Sequence, residues 1–490
     1  MKVRTVALWA ALGVVASSAG AMAIPLVRGT HGEPLEVRPE PKAKTDLSHF
    51  SAGQTLLVDG RLGHATMALG GAGETYFFAS VTGNGPADAT APPLNLAIVI
   101  DRSGSMKGDR IANALAAATG MVDRMREGDS VTIVSFDTEA TLVVPPTLTK
   151  AATRASIDAG IRSIRLGGDT CISCGLEEGM RQLALTTLGP ERVNRMILLS
   201  DGATNHGVRD LPGLRGMAGR MRDRGTTIST IGVDLDFDEK VMTTLAAEAN
   251  GQHYFVASPS GLGAVFAREF DDLLASIASD AELSIELPPG VEVDQVFDRT
   301  FRRDGNKVVV PFGTFSTKEE KTVLMKLRVP AGTEGVQPVV DVKLSYRDLA
   351  QNSVGTCSGS LAVIVTPDNG AAQKDLDPYV ATRLERSRTA ATLSEVNSLF
   401  EAGQVAAALQ RLKQQQDNLD RTEALARRAP RRPAPQNTRE LDTDIQQQRT
   451  AVQHASSYFD RGKAPTPAAS TSAGKATRKE NEAEKFDLWK

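Results

Sequence analysis

The feature that most constrains the fold is an apolar run that ends in a cluster of small polar residues. Residues 94–100 read Leu-Asn-Leu-Ala-Ile-Val-Ile, and Asp-Arg-Ser-Gly-Ser follows at 101–105. Such a run predicts a buried strand, and the polar string predicts a tight loop at its end. One carboxylate and two hydroxyls on this loop are hard oxygen ligands suited to a divalent cation. The same residue types are common in ordinary turns, so the loop alone does not distinguish a metal-binding loop from a turn.

Two later segments place further oxygen ligands after predicted elements. Thr170 lies in the string Leu-Gly-Gly-Asp-Thr-Cys-Ile at 166–172, which follows a helical stretch. Asp201 comes directly after the apolar run Met-Ile-Leu-Leu-Ser at 196–200. Because the carboxyl ends of parallel strands meet at one edge of a sheet, we expect all three segments to converge there.

Strands and helices alternate from about residue 94 to residue 278. The predicted strands are 94–100, 130–136, 141–144, 193–200, 226–233 and 252–256, and the predicted helices are 109–126, 150–164, 174–185, 210–224, 237–249 and 261–276. This alternation predicts a doubly wound, mostly parallel α/β sheet of the Rossmann-like class, with right-handed crossovers.

The three motifs resemble, in order and spacing, the metal-ion-dependent adhesion site of von Willebrand factor type A domains. The resemblance implies a metal site formed by Asp101, Ser103, Ser105, Thr170 and Asp201. It also implies that a protein partner supplies an Asp or Glu oxygen to the metal. Many family members have a Gly-Thr-Asn-Ile-like string in the second loop, where this chain has Gly-Gly-Asp-Thr-Cys-Ile. If the register slips by one residue, Asp169 is the ligand instead of Thr170.

The implied ion is Mg²⁺, or Ca²⁺ or Mn²⁺ if these dominate outside the cell. We predict no catalytic residue, because the six His lie outside Ser-His-Asp, Cys-His and His-Glu-x-x-His contexts. The sequence also lacks a phosphate loop of the GxxxxGK[ST] form. His206, which follows the third loop, is expected to be exposed. A formal net charge of −3 argues against a nucleic-acid or membrane-surface role.

The first 23 residues predict a secretory signal peptide. Lys2 and Arg4 precede an apolar, alanine-rich run that ends in Ala-Met-Ala, and we expect cleavage after Ala23. The alternative is an uncleaved anchor, because residues 6–23 are just long enough to span a bilayer. Either way the protein is expected to be exported, to the periplasm, the cell surface or the exterior.

Export places the three cysteines in an oxidising setting. Cys171 and Cys174 form a C-x-x-C string directly after Thr170. A structural disulfide that stiffens the second loop is favoured over a redox pair, because the surrounding sequence is not thioredoxin-like. Cys357 is then free or bonded to another chain. Two alternatives to a binding function follow, namely thiol–disulfide activity and a purely structural envelope scaffold.

The segments on both sides of the α/β unit favour short strands. Residues 64–69 and 74–81 predict a hairpin, and six further strands are predicted at 282–287, 291–296, 307–311, 321–329, 339–346 and 359–365. Their spacing favours a β-sandwich. We expect the early strands to join the later ones, with the α/β unit inserted between them. This arrangement is similar to that of inter-α-trypsin inhibitor heavy chains.

The remainder of the chain is expected to be helical and then disordered. Asp377-Pro378 is a helix start signal, and the helices form either a small bundle or a half-repeat of the tetratricopeptide kind. The basic cluster at 427–432 is expected to be a solvated linker. The Trp-containing end either docks on a partner, or tucks onto its own protein or stays loose. The predicted division is a signal peptide 1–23, linker 24–55, N-terminal strands 56–92, α/β domain 93–280, β-sandwich 281–367, helical region 375–460 and disordered tail 461–490.

Overall fold

The structure is a computed structural model that describes residues 46–85, 92–185, 192–373, 376–428, 435–459 and 468–489. The expected signal peptide, most of the expected linker at 24–55 and part of the basic cluster at 427–432 lie outside these residues. The chain from Asp46 onward clusters as one unit. Among the residues described, none of the helices is both long and apolar enough to cross a bilayer.

The strands and helices of the described ranges follow one another in four blocks. The strands are β1 (His49–Gly53), β2 (Leu56–Leu62), β3 (Thr66–Ala68), β4 (Glu74–Gly83), β5 (Leu94–Asp101), β6 (Ser130–Phe136), β7 (Ala140–Leu148), β8 (Val193–Ser200), β9 (Thr226–Val233), β10 (His253–Val256), β11 (Ser276–Glu286), β12 (Glu292–Phe297), β13 (Arg302–Asp304), β14 (Lys307–Ser316), β15 (Glu320–Arg328), β16 (Gly335–Asp348) and β17 (Ser353–Thr366). The helices are α1 (Asp109–Arg124), α2 (Ala151–Ser163), α3 (Ile172–Leu185), α4 (Leu211–Arg222), α5 (Glu239–Glu248), α6 (Leu262–Leu274), α7 (Pro378–Glu401), α8 (Val405–Arg428), α9 (Pro435–Phe459) and α10 (Ser472–Trp489).

The α/β block contains one six-stranded sheet in the order β10-β9-β8-β5-β6-β7. All its neighbouring strands are parallel except β7, which runs antiparallel to β6. Every residue of β5 is buried, since hydrophobic clusters cover both faces of the sheet. The predicted doubly wound fold is confirmed, and its two central strands β5 and β8 end side by side.

Two further sheets share one core and form a sandwich. Their strand orders are β1-β2-β4-β15-β12 and β13-β14-β11-β16-β17-β3. The early strands do join the later ones, because β4 pairs antiparallel with β15 from Glu74 to Thr82. The α/β block enters after β4 and leaves into β11. The turn between β14 and β15 binds the chain at both of these points. The amide of Lys318 donates to the carbonyl of Gly83 at the end of β4 at 2.8 Å, and the amide of Thr317 donates to the carbonyl of Ala275 just before β11 at 2.9 Å.

The hairpin expected between residues 64–69 and 74–81 is wrong. Strand β3 pairs parallel with β17, whereas β4 lies in the other sheet beside β2. The intervening glycines allow this crossing: Gly73 has φ 69°, and a Cβ there would lie 2.1 Å from the carbonyl oxygen of Val329. An alternating apolar pattern fits either sheet, so the sequence did not distinguish these pairings.

The linker predicted at 24–55 is wrong over its last residues, because residues 49–53 form strand β1 at the edge of a sheet. The ring of Phe50 on this strand occupies the space that side chains at Gly60 and Gly359 would fill. Such a fit depends on glycines far apart in sequence, and local composition does not reveal it.

The C-terminal block is helical, as predicted, and α7 begins at the expected signal. The side chain of Asp377 accepts hydrogen bonds from the amides of Tyr379 and Val380, which caps the helix. Helix α7 packs Val380 and Leu384 against the sandwich. The disordered tail expected at 461–490 is wrong over Ser472–Trp489, which form α10. The contacts of α10 are largely polar and join residues far apart in sequence. A local composition rich in Lys, Glu and Ala does not predict such contacts.

Replacing Phe77 tests whether the early strand β4 belongs to the core of the sandwich. Phe77 is fully buried between the two sheets, so Phe77→Ala should lower the free energy of unfolding by about 3–5 kcal/mol. The matched control is Phe301→Ala, a ring that is 42% exposed, with an expected loss of about 0.5 kcal/mol or less. Urea unfolding followed by circular dichroism measures both, and equal losses would contradict the assignment.

Candidate metal centre

The candidate centre lies where β5 and β8 end next to each other. Ile100 pairs with Leu199 in parallel register, so the residues that follow them in each strand, Asp101 and Ser200, are lateral neighbours. After Asp101 the chain forms a short 3-10 turn and then α1, and after Ser200 comes Asp201. The sheet topology thus places both motif aspartates at one carboxyl edge, as the motif spacing predicted.

The two aspartates are fully buried. One carboxylate oxygen of Asp101 accepts from the amide of Ser103 at 2.8 Å, and the other accepts from the hydroxyl of Ser200 at 2.6 Å. Burial raises the pKa of Asp101 to about 6, the hydrogen bonds from Ser200 and Ser103 oppose the rise, and the charge of Asp201 adds to it. Burying two adjacent negative carboxylates costs folding free energy unless a cation compensates their charge.

Three hydroxyls complete the cluster. The hydroxyl of Ser105 donates to Asp201 at 2.7 Å and lies 3.0 Å from the hydroxyl of Ser103. A Cβ on Gly202 would lie 3.4 Å from the hydroxyl oxygens of both Ser105 and Thr170. The third loop therefore passes directly beside these two hydroxyls, and the absence of a side chain at Gly202 leaves the space open. The structure brings together all five residues that the sequence singled out.

The third loop holds Thr170 in place. The amide of Thr170 donates to the side-chain oxygen of Asn205 at 2.7 Å, and the amide of Asn205 donates back to the Thr170 carbonyl at 2.9 Å. The hydroxyl of Thr204 donates to the same carbonyl at 3.1 Å. Thr170 is 4% exposed, whereas Asp169 lies at the surface. The geometry therefore favours Thr170 over the alternative ligand Asp169.

Cys171 and Cys174 form a disulfide directly after Thr170. Cys171 is fully buried, and its amide donates to the carbonyl of Asp137 at 2.7 Å. The third loop crosses the disulfide closely at Gly207, where a Cβ would lie 2.5 Å from the Cys171 sulfur. Cys357 is a free thiol, half-buried on β17. This packing makes the disulfide part of the support of the second loop.

Arg110 is a functional candidate that the sequence reasoning missed. Its guanidinium donates to the second carboxylate oxygen of Asp201 at 2.7 Å and to the carbonyl of Ser105 at 2.9 Å. It also donates to Asp234 at 2.9 Å, from the loop after β9. The sequence shows only a basic residue in the first turn of a helix, and its partner Asp234 lies 124 positions away. Arg110 offsets part of the charge of the two buried aspartates and orients Asp201.

The donor set fits a hard divalent cation. Among the described residues, no group of three or more His, Cys, Asp or Glu side chains could hold a metal ion. The candidate centre at this edge instead combines two carboxylates, from Asp101 and Asp201, with three hydroxyls. Such all-oxygen sets suit Mg²⁺, Ca²⁺ or Mn²⁺ rather than the softer metals. Five protein ligands leave coordination room for another oxygen.

Comparisons with known proteins agree with this architecture. Residues 95–268 match the family model of the von Willebrand factor type A domain. The chain is 28% identical over 283 residues to an uncharacterized protein of Synechocystis sp., covering 56% of this chain and 66% of that protein. It is 31% identical over 169 residues to inter-alpha-trypsin inhibitor heavy chain H3 of Rattus norvegicus, covering 33% of this chain and 17% of the heavy chain.

Among solved structures, a von Willebrand factor type A protein from Catenulispora acidiphila has a TM-score of 0.65 at 18% identity. The match covers 80% of this chain and 93% of that one, so the shared fold extends well beyond the α/β domain. The chain spans less than two thirds of the length of both curated relatives, and the similarity to the heavy chain is confined to 33% of this sequence.

Removing the Ser200 hydroxyl tests how the buried Asp101 carboxylate is held. Ser200→Ala leaves one oxygen of Asp101 without its donor, and the free energy of unfolding of the metal-free protein should fall by about 1–3 kcal/mol at pH 7. The control is Ser163→Ala, which removes an exposed hydroxyl that bonds the carbonyl of Gly160 one turn earlier. It should change the free energy of unfolding by about 0.5 kcal/mol or less. Wild-type stability of Ser200→Ala would contradict this role.

Proposed function

Because residues 95–268 form a von Willebrand factor type A domain, we propose that the protein binds a protein partner through a divalent metal ion held at the edge of that domain. Proteins with this domain are typically non-enzymatic adhesion or interaction proteins. The single observation that carries the proposal is the convergence of two fully buried carboxylates, Asp101 and Asp201, with three hydroxyls.

The proposed ion is Mg²⁺, with Ca²⁺ and Mn²⁺ as the alternatives. The ligand set is Asp101, Ser103, Ser105, Thr170 and Asp201. When bound, the ion supplies a positive charge that attracts a further anionic oxygen. The hydroxyls of Ser103, Ser105 and Thr170 are neutral donors, so they do not cancel that charge. Without the ion, Arg110 holds Asp201 and keeps the pair of aspartates from carrying two uncompensated negative charges.

The proposed partner is a protein that presents an Asp or Glu side chain. We place the encounter outside the cytoplasm, in the periplasm, at the cell surface or in the medium. The sequence of residues 1–23 and the disulfide between Cys171 and Cys174 both support that location. Neither nucleic acid nor a membrane surface is proposed as a partner, since the net charge is close to balance.

Asp101→Asn tests the metal-dependent binding. The substitution removes the charge of one of the two carboxylates, so Mg²⁺ affinity measured by calorimetry should fall by roughly 100-fold. Proteins captured from an envelope fraction in Mg²⁺, and lost in EDTA, should no longer be captured by the variant. Asp109→Asn, an exposed aspartate at the start of α1, is the matched control and should behave like wild type.

Two outcomes would contradict the proposal. If Asp101→Asn captures the same proteins as wild type in both Mg²⁺ and EDTA, binding does not use the metal. If EDTA lowers the melting temperature of the wild type while capture is unchanged, the ion serves stability alone and the protein is a structural scaffold.

A further inference from the structure

Helix α10 packs against the loop that follows β9. The ammonium of Lys479, which is nearly fully buried, donates to the carbonyl of Phe237 at 2.6 Å and to the carboxylate of Glu239 at 2.8 Å. One turn earlier on the helix, the ammonium of Lys475 donates to Asp236 at 2.9 Å. Two cations of the C-terminal helix thus contact the acidic segment formed by this loop and the first residue of α5.

The same loop contacts the metal centre from its other side. Arg110 donates to Asp234 in this loop and to Asp201 in the centre, and its guanidinium lies 3.9 Å from the carboxylate of Asp236. Asp236 therefore lies between Lys475 and Arg110. The hydrogen bond from Lys475, together with the charges of Arg110 and Lys479, holds the pKa of Asp236 below its usual value against its partial burial.

The interface of α10 is polar. The side chains that it buries include Thr477, Lys479, Asn481 and Glu482, and its large buried apolar groups are Phe486 and Leu488. Its last turn is held by Arg386, which donates to the carbonyls of residues 487 and 488. Interfaces of this polarity resemble transient contacts between domains more than a permanent core. The helix is therefore suited to reversible docking.

We propose that docking of α10 lowers the metal affinity of the centre, and that metal binding in turn loosens α10. The inference rests on the proposed function, since it concerns the regulation of the same site. With α10 docked, Lys475 compensates Asp236, and Arg110 remains with Asp201 and Asp234. With α10 released, the carboxylate of Asp236 loses its partner and competes with Asp201 for Arg110, which frees Asp201 to bind the ion.

A second effect acts in the same direction. Release of α10 removes the positive charges of Lys475 and Lys479 from the vicinity of the centre, so the local potential becomes more negative and favours a cation. Because coupling between two binding events is reciprocal, an ion that pulls Asp201 away from Arg110 must weaken α10 docking by the same factor.

The test is a calorimetric titration of the full chain with Mn²⁺. Lys475→Gln leaves the helix intact but removes the positive charge that contacts Asp236. The variant should bind Mn²⁺ about two- to fivefold more tightly than wild type, because a partly exposed ion pair contributes an energy of this size. Lys413→Gln, which removes an exposed charge on α8, is the matched control and should leave the affinity unchanged. In an Arg110→Gln background the gain from Lys475→Gln should be smaller, because only the effect of the removed charge on the local potential remains.

Hydrogen exchange supplies the reciprocal measurement. Peptides covering 472–489 should exchange faster in saturating Mg²⁺ than in EDTA, and the Asp101→Asn variant should not respond. Equal Mn²⁺ affinities for wild type and Lys475→Gln would overturn the coupling while leaving the proposed function intact. A gain that is equally large in the Arg110→Gln background would overturn the route through Arg110. Failure of the wild type to bind Mn²⁺ would overturn the proposed function and the coupling together.

Discussion

The burial of two carboxylates at the end of two adjacent parallel strands is the constraint on which the site depends. Asp101 and Asp201 are completely removed from solvent, and each isolated charge would cost several kcal/mol there. Neighbouring elements contribute donors that reduce this cost, namely the hydroxyls of Ser200 on β8 and Ser105 after β5 and the guanidinium of Arg110 on α1. The remaining negative charge is what makes the edge a site for a cation.

The surrounding architecture fixes this edge and also connects it to the rest of the chain. The α/β domain is inserted in a β-sandwich, and one turn of that sandwich holds its entry and its exit together. Helix α10 reaches back to the domain at the loop containing Asp236, next to Arg110. A single arginine thus links the proposed ligand Asp201 to a helix that lies far away in sequence.

The fold class and the convergence of the three motif segments could be predicted from local patterns and from the rule that parallel strands share a carboxyl edge. The set of five site residues follows from the resemblance to the von Willebrand factor type A family. Arg110, Asn205 and the route of β3 could not be predicted, since each depends on a partner in another loop or sheet. Composition also fails to predict helix α10, because a low apolar content predicts disorder whereas α10 is stabilised by specific ion pairs.

An anomalous difference map from a crystal of the full chain grown with Mn²⁺ shows whether an ion binds between the two buried aspartates. We expect one strong peak between the carboxylates of Asp101 and Asp201, within coordination distance of the Ser103, Ser105 and Thr170 hydroxyls or of waters that they hold. A map with no peak at this edge, or with its strong peak at another cluster of the protein, would contradict the account.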